Sequence, residues 1–327
     1  MSDLRTKYLG LDLKNPLIVG SCGFTNSVDK IKELADHNAA AVVLKSLFEE
    51  QIQAEFASNL ESYTADYPEA MDYIRAYTRG NEVESYLKLI AGAKKAVDIP
   101  VIASINCVSA SEWVSFAKSV EQEGADAIEL NISLLPSNPR MTSEENENKY
   151  LEIIGAVAGM VTIPVALKMS SYSASLAGLI RKIAWTNKVA GFVLFNRYYS
   201  PDIDVEKMEI KSADVLSTPA EGCGPLRWMA LMYGQIDKDL VASTGVHDSQ
   251  GLIKQLLAGA TAVQVVSTLY KNGLAQIPAM LQGLNEWMTK NSFADLAQFR
   301  GRLSYAHAEN PAVFERTQFM KYYGGLS

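Results

Sequence analysis

The chain has 327 residues, 48% of them hydrophobic and 20% charged, with a formal net charge of -7. That is enough apolar material for a large buried core, and it is the composition of neither a disordered nor a fibrous protein. Acids and bases are interspersed, without the Lys/Arg block or basic-aromatic stripe that nucleic acid requires, so no nucleic-acid partner is expected.

Residues 1–8 hold no apolar leader-like stretch, and no later stretch approaches about eighteen uninterrupted apolar residues, so a cytoplasmic protein without a membrane partner is expected. Eight short apolar runs rich in β-branched residues then recur: 16–22, 40–45, 100–106, 127–131, 164–169, 191–196, 240–245 and 262–267. Most are followed by a polar or glycine-bearing segment and a stretch of helical periodicity. Continuous apolar runs suit parallel strands buried on both faces, and eight β/α units predict a closed (β/α)8 TIM barrel, with a doubly wound open sheet as the competing architecture. Residues 109–112, Ser-Ala-Ser-Glu, read as a capping box, and Asp248 opens a helix whose inner face is Leu252, Ile253, Leu256 and Leu257. Residues 48–81 and 197–225 are longer than barrel loops need, and are expected to cover the mouth after strands two and six. No repeat or low-complexity linker interrupts the chain, which predicts a single domain over residues 1–327.

Cys22, Cys107 and Cys223 are odd in number and lack a CxxC pair, and His37, His247 and His307 are equally scattered. This spacing argues against a disulfide framework, a metal site or a His-based triad. Each cysteine reads more readily as a small buried hydrophobe than as a reactive thiol.

Barrel chemistry sits at the C-terminal strand ends. Those ends carry Ser21 and Cys22, Lys45 and Ser46, Asn106 and Cys107, Asn131 and Ser133, Lys168, Asn196, Thr244 and Gly245, and Ser267 and Thr268. Amides, hydroxyls and two lysines suit a large polar planar ligand and are poor ligands for Mg²⁺. The segment 243–246 and the pair Ser267 and Thr268 offer small residues where barrels bind phosphate; the structural alternative is that Gly245 and Gly259 only serve tight turns. An ammonium ending an apolar strand needs a ligand or a carboxylate, and Glu129 is the structural alternative for Lys45 and Lys168. Asn131 and Asn196 can equally cap loop backbone. In the segment 126–136, Asn131 and Ser133 are followed by Leu134 and Leu135, which cannot accept a proton.

These residues resemble the FMN-dependent dihydroorotate dehydrogenases of pyrimidine biosynthesis along nearly the whole chain. The segment 15–21 is similar to the family's first-strand Asn-Pro segment, 43–46 to its strand-two lysine, and 128–133 to its strand-four signature. Residues 165–168 resemble its strand-five lysine segment, 195–196 its strand-six asparagine, and 222–231 its glycine-rich turn. Residues 243–245 and 258–268 look like its paired flavin-phosphate loops. The resemblance implies FMN across the barrel mouth, with its phosphate near Thr244, Gly245, Val246, Ser267 and Thr268. It implies further contacts from Gly20, Ser21, Lys45, Ser46, Asn131, Asn196, Gly222 and Gly224, with Lys168 stabilising reduced flavin. It also implies dehydrogenation of a carbon-carbon bond next to a carbonyl, and a soluble homodimer.

Two departures qualify the substrate. The family's Cys or Ser base falls on Leu134 or Leu135, leaving Ser133, Ser137 and Cys107 as substitutes. The family's substrate loop after strand two is unrecognisable in residues 48–81, where Tyr63, Tyr67, Tyr73 and Arg75 stand. The expected substrate is dihydroorotate, oxidised to orotate, or another cyclic or conjugated carbonyl compound, and reduction of a double bond would instead need a proton donor such as Tyr198 or Tyr199. The alternatives are a Schiff-base lyase on a sugar phosphate using Lys168 or Lys45, or a flavin subunit that needs an electron-transfer partner.

Overall fold

A computed structural model describes residues 2–48, 68–106 and 110–316. The chain opens on an antiparallel hairpin, β1 (Thr6–Tyr8) and β2 (Leu11–Leu13). Its turn puts Leu9 and Gly10 at φ 55° and 78°, the left-handed pair that a two-residue hairpin turn demands. Next come β3 (Leu17–Val19), β4 (Ala41–Val43), β5 (Leu47–Phe48), β6 (Val101–Asn106), β7 (Ala127–Ile132), β8 (Val165–Met169) and β9 (Gly191–Leu194). A second hairpin, β10 (Pro201–Asp204) and β11 (Glu209–Ser212), precedes β12 (Asp239–Ser243) and β13 (Ala262–Val265). The parallel order β4-β3-β13-β12-β9-β8-β7-β6 is closed by β4 pairing with β6, which makes an eight-stranded barrel with β5 extending along β6. Each of the eight expected runs overlaps one barrel strand, with β7 ending one residue later and β12 starting one residue earlier than expected.

The helices are α1 (Val28–Asp36), α2 (Pro68–Ala96), α3 (Ala110–Gln122), α4 (Ser143–Ala158), α5 (Leu176–Trp185), α6 (Cys223–Met232), α7 (Ser249–Ala258), α8 (Ser267–Asn272) and α9 (Gln276–Lys290). The buried faces of α1 and of α4 through α9 join the outer barrel face in one core. Each fully buried Leu or Ile there contributes about 1.5–3 kcal/mol. Asp248 caps α7 by accepting from the Gly251 amide at 2.7 Å, as expected, with Leu252, Ile253 and Leu256 buried and Leu257 only half-buried.

A second core fills the barrel. Tyr8, Leu9 and Leu13 of the first hairpin close its N-terminal end against Ile18, Val43, Ile102 and Val193. Ala127, Ala166 and Ala262 are small in this layer, and a Cβ on Gly191 would meet Leu9 and Tyr8 at 3.0 and 3.2 Å. The sequence thus leaves room for a plug at one end and keeps the polar strand residues for the other.

One expectation is corrected. Residues 68–81, expected as loop, are the first half of the 29-residue helix α2. Pro68 stands at its first position, where the missing N–H costs nothing, and the helix runs through Gly80 and Asn81. Residues 49–67, Tyr63 and Tyr67 among them, lie outside the described residues, as does Ser109 of the expected capping box.

Candidate active site

Parallel register assembles the site. Asn106 pairs with Asn131, and Asn131 with Lys168, so three adjacent strands present polar side chains at one level above the interior alanines. Two residues earlier on the same faces, Ser104 pairs with Glu129, and Glu129 pairs with Ala166.

Lys168 is held from below. Its Nζ donates to Gln264 Oε1 at 3.1 Å and lies 3.6 Å from Glu129 Oε1, while Gln264 Nε2 donates to Glu129 Oε2. The Glu129 side chain is 1% exposed and that of Lys168 10%. A carboxylate so buried is stable only beside a cation and hydrogen-bond donors, so the three side chains form one interdependent unit. Beneath them the Tyr8 hydroxyl makes no hydrogen bond, and burial, with help from Glu129, pushes its phenol well above the ordinary range.

Lys168, Asn196, Thr244, Gly245, Val246 and Ser267 surround one cavity of about 400 Å³, whose outer wall comes from residues 197–200 and 212–217. Residues of the segment after strand six line this cavity, and the rest of it folds into an exposed hairpin and a 3-10 turn over Pro219–Gly222. Arg197 fastens it: Nε donates to Glu221 Oε2, and the two other nitrogens to the Val215 and Asp214 carbonyls, all at 2.7–2.9 Å. Asn196 Nδ2 donates to both Asn131 Oδ1 and Ser133 Oγ, which gathers the strand-four and strand-six amides at one point of the rim.

The loop after β12 carries the strongest backbone constraint. Thr244 and Gly245 both lie at positive φ, 79° and 78°. A Cβ on Gly245 would stand 2.1 Å from the Gly222 amide nitrogen, and one on Gly222 would stand 3.0 Å from the Gly245 carbonyl. The two glycines are therefore needed for a backbone-to-backbone crossing, and left-handed turns of this kind gather N–H groups into anion-binding concavities. Around them Ser217 bonds outward in several directions. Its amide donates to Ser267 Oγ at 3.0 Å, its hydroxyl meets His247 Nε2 at 3.2 Å, and Lys271 donates to its carbonyl at 2.8 Å. Burial, then the Lys271 charge, holds the His247 imidazole below its ordinary range.

Other expected residues stand apart. Thr268 is fully buried and donates to the His247 carbonyl at 2.9 Å, so its side chain is not among those around the cavity. Ser21, Ser46 and Ser104 form a hydroxyl chain, with Oγ distances of 3.1 and 2.6 Å. Lys45 lines a separate pocket of about 190 Å³ with Asn26, Ser46 and Tyr86, and not the cavity of Lys168. Gly20 lies beneath Gln264, where a Cβ would meet its Oε1 at 3.3 Å.

Ser133 is exposed at the rim, and Ser137 is exposed with its amide bonded to the Leu135 carbonyl. Cys107 lies outside the described residues. Leu134 turns toward Tyr150 and Tyr172, away from the cavity, and its carbonyl accepts from Ser170 Oγ at 3.3 Å; Leu135 is 50% exposed. Burial pushes the Cys22 thiol up, while Cys223 is exposed at the start of α6.

Sequence reading missed Gln264, Ser217, His247 and Arg197 as site residues. Gln264 had a signal, a lone polar residue facing inward from an apolar strand. Ser217 and His247 meet only through tertiary structure.

The comparisons agree with this architecture. The family model described as dihydroorotate dehydrogenase matches residues 3–288. The catalytic subunit of dihydroorotate dehydrogenase B (NAD(+)) from Thermoplasma volcanium is 27% identical over 311 residues, covering 92% of this chain and 98% of the relative. Its counterpart from Thermoplasma acidophilum is 25% identical over 307 residues, covering 92% and 99%. Dihydroorotate dehydrogenase A (fumarate) from Lactococcus lactis is 22% identical over 322 residues, again covering 92% and 99%. With a barrel closed around Lys168 and a family match over most of its length, the chain belongs to the dihydroorotate dehydrogenase family.

Proposed function

We propose that the protein is an FMN-dependent oxidoreductase acting on a carbon-carbon bond next to a carbonyl. The observation that carries this reading is the Lys168 ammonium, pinned by Glu129 and Gln264 at the floor of a cavity that also holds Asn196 and the Thr244–Gly245 turn. These residues fit the cofactor. The glycine crossing forms a backbone cradle for a phosphate, the amides of Asn131 and Asn196 suit the heteroatom edge of a flavin, and Lys168 gives a fixed positive charge. When bound, the flavin supplies hydride transfer. The chain's part is to bind it, to hold the charge of Lys168 in place and to move the accompanying proton.

Lys168 as a clamped ammonium supports the flavin reading over a Schiff-base lyase, which needs a neutral amine. FMN titration tests the choice: uptake of one FMN per chain is expected, and a chain that takes up none refutes it.

Association with another chain is a further part of the proposal. The β10–β11 hairpin exposes Ile203, Val205, Met208 and Ile210 at 63–87%. So apolar a two-stranded unit is poorly suited to standing in water, which supports a homodimer or, as in the relatives named catalytic subunits, a partner chain. Gel filtration of the protein with Met208→Asp and Ile210→Asp distinguishes an oligomer that depends on this hairpin from a monomer. No helix among the described residues is long and apolar enough to cross a membrane. A cytoplasmic, single-domain barrel over residues 1–327 completes the proposal.

A further inference from the structure

Among the described residues, Glu129 is the only buried carboxylate and Lys168 the only buried cation, and the two lie one above the other inside the barrel. The carboxylate is the deeper of the pair. Lys168 and Gln264 line the cavity of about 400 Å³ and Glu129 does not, while the interior layer beneath is apolar, with Tyr8, Ala127, Ala166 and Val193. Glu129 Oε1 accepts no hydrogen bond, which leaves the Lys168 Nζ, 3.6 Å away, as the group that offsets its charge.

Gln264 extends this ion pair without competing with it. Its amide oxygen accepts from Lys168 Nζ at 3.1 Å and its amide nitrogen donates to Glu129 Oε2, so the amide dipole runs along the pair in the favourable sense. Coulomb energy falls only as the inverse of distance. A carboxylate 3.6 Å behind the ammonium therefore cancels roughly half of the pull that the ammonium exerts on a negative charge at contact distance in front of it. Burial of both groups keeps salt from screening that cancellation.

Two-electron reduction of a flavin adds negative charge to its ring system, and Lys168 is the cation at the cavity floor that answers it. We propose that Glu129 is a positioning residue that sets the reduction potential of the bound flavin through Lys168: it anchors the ammonium at the floor and subtracts from its pull on the reduced ring. The inference rests on the flavin reading above and adds to it an acid that does not line the cofactor's cavity. It accounts for a carboxylate where a neutral hydrogen-bond acceptor would anchor the lysine at a lower desolvation cost.

The test is the midpoint potential of the FMN-loaded protein, read by absorbance against a reference dye during anaerobic reductive titration. Glu129→Gln should shift the two-electron equilibrium toward reduced flavin by at least about tenfold, a rise of about 30 mV. Glu129→Asp keeps the charge and should stay within about threefold of the parent. Lys168→Met leaves the carboxylate unopposed and should shift the equilibrium by at least about tenfold the other way, and adding Glu129→Gln to it should recover most of that shift. A merely structural role would move Glu129→Gln and Lys168→Met in the same direction. If Glu129→Gln alone fails to fold, the double variant set against Lys168→Met reads the same effect in a background that carries neither charge. The inference is overturned if Glu129→Gln leaves the potential unchanged or lowers it, or if the double variant keeps the potential of Lys168→Met. A parent that takes up no FMN overturns the flavin reading and this inference with it, whereas potentials out of this order with FMN bound overturn this inference alone.

Discussion

Replacing Lys168 by Met tests the barrel floor most sharply. The substitution keeps the apolar stem and deletes the charge, so Glu129, 1% exposed, is left with Gln264 as its remaining donor. Breaking a buried pair from one side costs about 3–5 kcal/mol, because the stranded ion keeps its full desolvation penalty. Unfolding entropy of about 2.1 cal/mol/K per residue, over 327 residues, gives roughly 0.7 kcal/mol/K, so the melting midpoint should fall by about 4–7 °C. Lys168→Met combined with Glu129→Gln removes both charges and should regain most of that loss. Differential scanning calorimetry of the parent, both single variants and the double variant completes a double-mutant cycle, with an expected coupling of at least about 3 kcal/mol. A neutral Lys168→Met, or a double variant whose loss is the plain sum of the singles, would refute the interdependent unit.

Further outcomes follow from the same geometry. Gly245→Ala should lower FMN affinity by more than about tenfold and destabilise the chain, since the left-handed turn alone costs about 1–2 kcal/mol and the new methyl group meets the Gly222 backbone; fluorescence titration and melting measure the two effects. His247 has a folded pKa below its unfolded value near 6.5, so its contribution to stability is complete above about pH 6.5 and is lost as pH falls through the folded value. Melting curves between pH 8 and pH 5 should show this loss, and His247→Gln should remove that part of it. With Leu134 turned from the cavity, anaerobic dihydroorotate should bleach the bound flavin slowly or not at all while dithionite bleaches it fully; rapid bleaching by dihydroorotate would contradict the absent base.

The barrel was legible because parallel strands buried on both faces leave continuous apolar runs, and every such run overlaps a strand. The floor was legible in part. Lys168 ends its run visibly, and Glu129 was foreseeable as its partner because it stands two residues before Asn131, on the same face. Lys45 carried the same local signal as Lys168 yet faces a different pocket, since a strand-end position fixes the level of a side chain and leaves its direction to the neighbouring loops. Thr268 was identified by its place at the end of strand eight, but its hydroxyl is taken by the His247 carbonyl, a contact spanning 21 residues. The Arg197–Glu221 clamp and the Gly222–Gly245 crossing join distant loops and leave no local pattern, although the glycines themselves were visible. The 68–81 segment was read as loop together with 48–67, while the helix continues through Gly80, a single glycine that a long helix absorbs at a cost of about 1 kcal/mol.

The most direct measurement of the central claim is a titration of the purified, FMN-free protein with FMN, followed by flavin fluorescence and by the absorbance of the protein after desalting. A saturable one-to-one yellow complex, lost or greatly weakened in Gly245→Ala and formed poorly with riboflavin, which lacks the phosphate, is the predicted result. A protein that stays colourless at high FMN, or that binds riboflavin as well as FMN, would contradict it.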